Sequence, residues 1–151
     1  MSKIIYLHGF ASGPGSKKAT EFKKSFDQIS VSLAIPDLEG GDFQRLCLSS
    51  QINIINDCMD QNPGDQFGLI GSSMGGYLAA LVAQKRKDVS AIYLMAPGFN
   101  FLKRWSVLIQ GHLKGSNATP DLIKVFHYRY NKEMELSADI FRDAAKWDRL
   151  A

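Results

Sequence analysis

Long apolar runs are missing from this 151-residue chain. Nothing approaches the 18 or so consecutive apolar residues that a membrane-spanning helix needs. The N-terminal Met1-Ser2-Lys3 is followed only by Ile4 to Leu7 before His8, too short an apolar core for a signal peptide. A cytoplasmic location is the expectation. Cysteine is scarce: Cys47 and Cys58 fall in one helical pattern eleven residues apart and cannot meet there, so both are expected to be thiols. Neither they nor the three histidines, His8, His112 and His127, fall at metal-ligand spacing, so no metal and no cofactor are expected. Charge of one sign is also lacking. The net charge is +3, with nine basic and nine acidic residues over 1–98 and nine against six over 99–151. A surplus this small, confined to the tail, makes nucleic acid an unlikely partner and reads as a solvated face. Repeats and low-complexity linkers are absent, and the length suits one domain with a sizeable core.

What is present is a rhythm of short β-rich runs and amphipathic helices. Lys3–Leu7 reads as a strand, and Ser16 can cap a helix carrying Ala19, Phe22 and Phe26 at i, i+3, i+7. Ile29–Ile35 is the next expected strand, stopped by Pro36-Asp37. Leu48, Ile52, Ile55 and Met59 line one face of a second helix, which Pro63-Gly64-Asp65 ends. Phe67–Ile70 is a third strand, Met74–Lys87 a third helix and Ala91–Met95 a fourth strand. Strands alternating with helices predict βαβ units: a three-layer α/β domain with a parallel sheet and helices on both faces. Residues 1–98 form this core. After Pro97 the rhythm breaks. Phe101, Leu102, Trp105, Leu108 and Ile109 look helical, and 111–118 is loop-rich. Thr119-Pro120 resembles a helix start, Lys124–Tyr130 is β-prone, and Ser137 can cap a last helix with Ile140, Phe141, Ala144 and Trp147. Residues 99–151 are expected to be a mostly helical, lid-like insertion over the carboxyl edge of the sheet, where open α/β folds bind ligands.

The most informative stretch is Gly71-Ser72-Ser73-Met74-Gly75, placed between a strand and a helix. There G-x-S-x-G reads as a nucleophile elbow, a sharp turn whose flanking glycines remove Cβ atoms that would clash. Ser73 fits the frame, whereas Ser72 has Ile70 and Met74 at the glycine positions. Ser73 is thus the candidate nucleophile, and the Met74 N–H after it the first oxyanion donor. The second donor is expected in the loop after the first strand, where His8-Gly9-Phe10 sits; the Phe10 N–H is the candidate, with Gly9 letting a substrate approach the backbone.

These residues resemble the small α/β-hydrolase-fold esterases often called the YqiA-type family. The likeness is carried by Tyr6-Leu7-His8-Gly9-Phe10-Ala11-Ser12-Gly13-Pro14, Ser16-Lys17-Lys18-Ala19, Ile35-Pro36-Asp37-Leu38, Gly68-Leu69-Ile70-Gly71-Ser72-Ser73-Met74-Gly75-Gly76-Tyr77 and Ala96-Pro97. Phe126-His127-Tyr128 through Ala144 looks like the family's lid. The resemblance implies Ser73 as nucleophile, Phe10 and Met74 as the oxyanion hole, a structural His8, and small acyl esters or thioesters as substrates. Members of that family continue for some fifty residues that carry the triad Asp and His. The sequence ends at Ala151, so base and acid have no counterpart in it and little or no activity is expected of residues 1–151. His112 and His127 are the other imidazoles, and lid packing is the simpler role for each. A chain ending there leaves Ala91–Met95 as an apolar sheet edge, which the tail, a second copy in a homo-oligomer, or further chain could cover.

Two other readings are weaker. A non-catalytic remnant of the fold, acting as a binding module, fits the missing base. Nucleotide binding through Gly13-Pro14-Gly15 with Asp37 further on imitates a dinucleotide fingerprint, but Lys18 stands where the third glycine belongs and Pro14 lacks an N–H for phosphate.

Overall fold

In the computed structural model, residues 2–112 and 121–148 are described. The order is β1 (Ser2–Leu7), α1 (Lys17–Gln28), β2 (Leu33–Ala34), α2 (Leu48–Asp60), β3 (Gln66–Ser72), α3 (Met74–Lys85), β4 (Val89–Met95), α4 (Phe101–His112), β5 (Leu122–His127), β6 (Lys132–Ser137) and α5 (Asp139–Ala145). Four strands form a sheet in the order β2-β1-β3-β4, and every pairing is parallel.

Alternation along the strands sorts side chains between two faces. Ile5, Leu7, Phe67 and Leu69 point to one side and share a core with α2, α3 and the tail. Ile4, Tyr6, Ile70 and Leu33 point to the other, where Ala19, Phe22 and Phe26 of α1 cover them. The result is three layers. Helix α3 is buried along Met74, Gly75, Gly76, Leu78, Ala79, Leu81 and Val82, so it is apolar on most sides and carries little amphipathic pattern.

The expected strand over 29–35 shrinks to two residues. The chain spends Ile29, Ser30 and Val31 closing α1: their N–H groups bond Phe26 O, Asp27 O and Phe26 O, and Ser30 takes a positive φ of 57°. Those groups satisfy the last orphan carbonyls of the helix and are lost to the sheet. Helix α3 stops at Lys85, two residues short of expectation, and Arg86 then bonds Asp88 and Asp60. Cys47 lies just outside α2 and caps it: its sulfur accepts from the Ser50 N–H, and Ser50 Oγ accepts from the Cys47 N–H. Both cysteines are free thiols.

The tail departs more. Lys124–Tyr130 holds a strand as expected, but it pairs antiparallel with β6, which sequence periodicity did not announce. The candidate helix start at Thr119-Pro120 lies outside the described residues, and the chain is already a strand at Leu122. The last helix begins after Ala138, and Ser137 Oγ accepts from the Asp139 N–H. It docks through Asp143, whose carboxylate takes the Ser49 N–H (2.8 Å) and hydroxyl (2.5 Å) at the N-terminal turn of α2. The hairpin does not pair with β4. Among the described residues β4 is an outer strand, with Ile92 and Tyr93 exposed. No helix among the described residues is long and apolar enough to cross a membrane.

Gly75 is the tightest point of the core. A Cβ there would lie 2.0 Å from the Leu7 carbonyl oxygen. We expect Gly75→Ala to cost about 3 kcal/mol or more in urea unfolding, because backbone and not a yielding side chain occupies the space. Gly15→Ala, with nothing within 4 Å of the added carbon, should shift stability by less than about 1 kcal/mol.

Candidate active site

Ser73 stands in the one-residue gap between β3 and α3. It adopts φ 54°, ψ −119°, a left-handed conformation that a side-chain-bearing residue rarely holds. Its backbone is fastened on every side. Its N–H donates to Met95 O (3.0 Å), and its carbonyl accepts from Gly76 (3.0 Å), Tyr77 (3.2 Å) and Gly98 (2.7 Å). A Cβ on Gly71 would sit 2.3 Å from Gly75 O, so neither flanking position admits any other residue without displacing backbone. The turn throws the Ser73 side chain out of the core: it is exposed, whereas Ser72 and Met74 on either side are buried.

The loop after β1 lies opposite. His8 is 3 % exposed and uses both ring nitrogens: Nδ1 donates to Gly9 O and Nε2 accepts from the Leu38 N–H, each at 3.0 Å. That pattern fixes a neutral tautomer. Burial, the largest influence, pulls its pKa below the usual histidine value, outweighing the Gly9 carbonyl and Asp37, which favour the charged ring. No lone pair of His8 is left to take a proton. Its ring instead holds Gly9 and Phe10 in place against the segment following β2. The Phe10 side chain is locked among Phe43, Phe101 and Trp105 at 5.6–5.9 Å between ring centres. Gly9 leaves room at the serine: its absent Cβ would meet Ser73 Cβ at 3.6 Å.

Gly9, Phe10 and Ser73 line one cavity of about 490 Å³ together with Tyr6, Ser12, Ser16, Lys17, Lys18, Ser72 and Tyr128. Met74 is not among the lining residues; its side chain is buried, while its N–H, at the first position of α3, has no carbonyl available within the helix. The glycines, Ser73 and the Phe10 backbone are thus brought to one place. Sequence reasoning did not assign roles to Tyr6, Ser72, Lys17, Lys18 and Tyr128. Lys18 Nζ reaches Ser72 Oγ at 3.3 Å, and Tyr6 also bonds Ser72 while burial raises its phenol pKa. Ser72 is therefore engaged from two sides.

Among the described residues no histidine lines this cavity. His127 is buried with Glu39, Nε2 to Oε2 at 2.5 Å, between the rings of Phe43 and Tyr130. Among the described residues its Nδ1 has no hydrogen-bond partner. The side chain of His112 lies outside the described residues. Asp37, the acid of the nucleotide reading, is bound instead to Arg129 at 2.6 Å. Burial works against its ionisation, but the Arg129 guanidinium and the Glu39 N–H prevail and keep its carboxyl below the usual range. Among the described residues no three His, Cys, Asp or Glu side chains gather as a metal site.

A four-stranded parallel sheet carrying this turn at the strand–helix junction is the α/β-hydrolase fold. Solved structures of that fold superimpose on the chain: Est1E from Butyrivibrio proteoclasticus with ferulic acid bound (TM-score 0.76, 18 % identity, 97 % of this chain and 61 % of that one). Mouse alpha/beta hydrolase domain-containing protein 10 does so at 0.69 with 20 % identity, over 95 % of this chain and 60 % of that one. A monoacylglycerol lipase from Paleococcus ferrophilus matches at 0.68 with 13 % identity, over 97 % and 65 %. The chain belongs to the uncharacterised protein family UPF0227, which matches residues 3–145. It spans about 60 % of the length of the first two of these structures.

Two outcomes check this geometry. Ser73→Gly should be more stable than Ser73→Ala by about 1 kcal/mol in chemical denaturation, because only glycine relieves the positive φ. His8 binds a proton less readily folded than unfolded, so its contribution to stability is complete above the unfolded pKa near 6.5 and is lost as pH falls below it. Between pH 7 and 5 the native chain should therefore lose more stability than His8→Asn does.

Proposed function

We propose that residues 1–98 are the core, and 99–151 a lid-like insertion, of one serine-hydrolase domain of carboxylesterase or thioesterase type acting on small acyl esters. One observation carries the reading: an exposed serine held in a strained turn faces a backbone loop across a cavity. Ser73 Oγ attacks the acyl carbon and gives up its proton to water. The carbonyl oxygen becomes an oxyanion held by the N–H groups of Phe10 and Met74, each worth roughly 3–4 kcal/mol of barrier. Collapse expels the alcohol or thiol, which takes a proton, and leaves Ser73 acylated. Water then attacks the acyl carbon and frees the serine and the acid. His8, Gly9, Gly71 and Gly75 support the shape and do not touch the reacting atoms.

Among the described residues no imidazole lines the cavity to accept the serine proton. Removing a triad base costs on the order of 10⁴–10⁶ in kcat, so we infer slow turnover by residues 1–151 alone. The same observation favours a second reading, a binding module that keeps the fold and cavity without catalysis.

A fluorophosphonate, which needs only an activated serine, separates the two. Intact mass should show one adduct, peptide mapping should place it on Ser73, and Ser73→Ala should abolish it while Ser72→Ala keeps it. A folded chain that stays unlabelled over hours rejects the hydrolase reading and leaves the binding module.

A further inference from the structure

The cavity at Ser73 is charged with one sign. Lys17 and Lys18 line it, and among the described residues no carboxylate does. A second cavity of about 510 Å³ shares Ser12, Ser16, Lys17 and Tyr128 with the first and adds Arg129, again with no acidic residue in its wall among the described residues. Arg129 is neutralised by Asp37 at 2.6 Å. The lysines are not neutralised. Lys18 reaches only the uncharged Ser72 hydroxyl, and neither lysine forms an ion pair among the described residues. Further along the same helix Lys23 is paired with Asp27, whereas Lys24, like Lys17 and Lys18, forms no ion pair among the described residues; of these three only Lys17 and Lys18 line the cavity.

A wall of this kind is poorly suited to a wholly apolar ester. Two ammonium groups in one concavity repel each other, and an anion between them relieves that repulsion. The volume suits a small ligand rather than a long chain. Resting on Ser73 being the nucleophile, we propose that the ester it takes carries an anionic group, a carboxylate or a phosphate, which Lys17 and Lys18 hold while the acyl carbon lies at Ser73. The tail supplies Tyr128 to the same wall. Both lysines are solvent-exposed, so their effect is one of steering and loose capture, sensitive to salt.

The test compares three fluorophosphonates on the full chain: one neutral, one with a carboxylate tail and one with a phosphate tail. The charged probes should label Ser73 about tenfold faster than the neutral one at low salt, the advantage fading in about 0.5 M sodium chloride. A faster carboxylate probe alone assigns a carboxylate, a faster phosphate probe alone a phosphate, and both faster a general anion site. The double substitution Lys17→Gln with Lys18→Gln should bring the charged-to-neutral ratio near one, and Lys17→Arg with Lys18→Arg should keep it. Equal rates for all three probes, or a ratio that survives the glutamines, overturns the proposal. If no probe labels Ser73, the hydrolase reading fails by itself, and inorganic phosphate then reads the anion site directly. Amide shifts at Gly9, Lys17 and Lys18 in the NMR spectrum, lost in the double glutamine variant, support it; no shift there overturns it.

Discussion

The approach of the first turn of α3 to the backbones of β1 and β3 is the contact on which the structure depends. At Gly75 the helix touches the Leu7 carbonyl, and at Gly71 the strand touches Gly75. Main chain against main chain leaves no room for adjustment, so the angle at which the helix leaves the sheet is set by sterics alone. Everything local follows from that angle. The turn must be completed in one residue, Ser73 takes the left-handed conformation, and its side chain is pushed outward while its neighbours are pulled in. Strain at a single residue, of order 1–3 kcal/mol, is tolerated because four backbone hydrogen bonds on that residue over-determine it.

A second constraint is polar and acts across the chain. His8 belongs to the loop after β1, yet its Nε2 satisfies the Leu38 N–H thirty residues later. The neutral ring is a spacer with two fixed bonds, and burial keeps it uncharged. A protonated ring would lose its acceptor for Leu38, which ties the shape of the Gly9–Phe10 loop to pH by geometry.

Much of this is written plainly in the sequence, for physical reasons. The strands and helices through Pro97 are short, periodic and punctuated by Gly and Pro, and G-x-S-x-G carries its own steric explanation. Cys47 was placed one residue too far inside its helix because a thiol seldom serves as a cap. Strand β2 was overdrawn because its apolar run is shared with the end of α1. Strand β6 was missed because Lys132, Glu133 and Glu135 favour helices in isolation, and only pairing with β5 makes them a strand. The contacts that seat the hairpin against the early loops are illegible for a different reason. His127 meets Glu39 across 88 positions and Arg129 meets Asp37 across 92, and no local pattern encodes such partners.

The β5–β6 hairpin is stitched to the early loops at several points. Tyr128 N–H donates to Ala11 O at 3.0 Å, Arg129 grips Asp37, and the Arg129 stem lies where a Cβ on Gly13 would be. During vectorial synthesis on the ribosome, all four sheet strands emerge before any of these stitches can form. A nascent chain that has reached Gly98 holds the bent serine and the glycine loop but neither Tyr128 nor Arg129. Completion of the cavity wall is therefore a late event that trails assembly of the scaffold, because Tyr128 joins it only when the hairpin arrives.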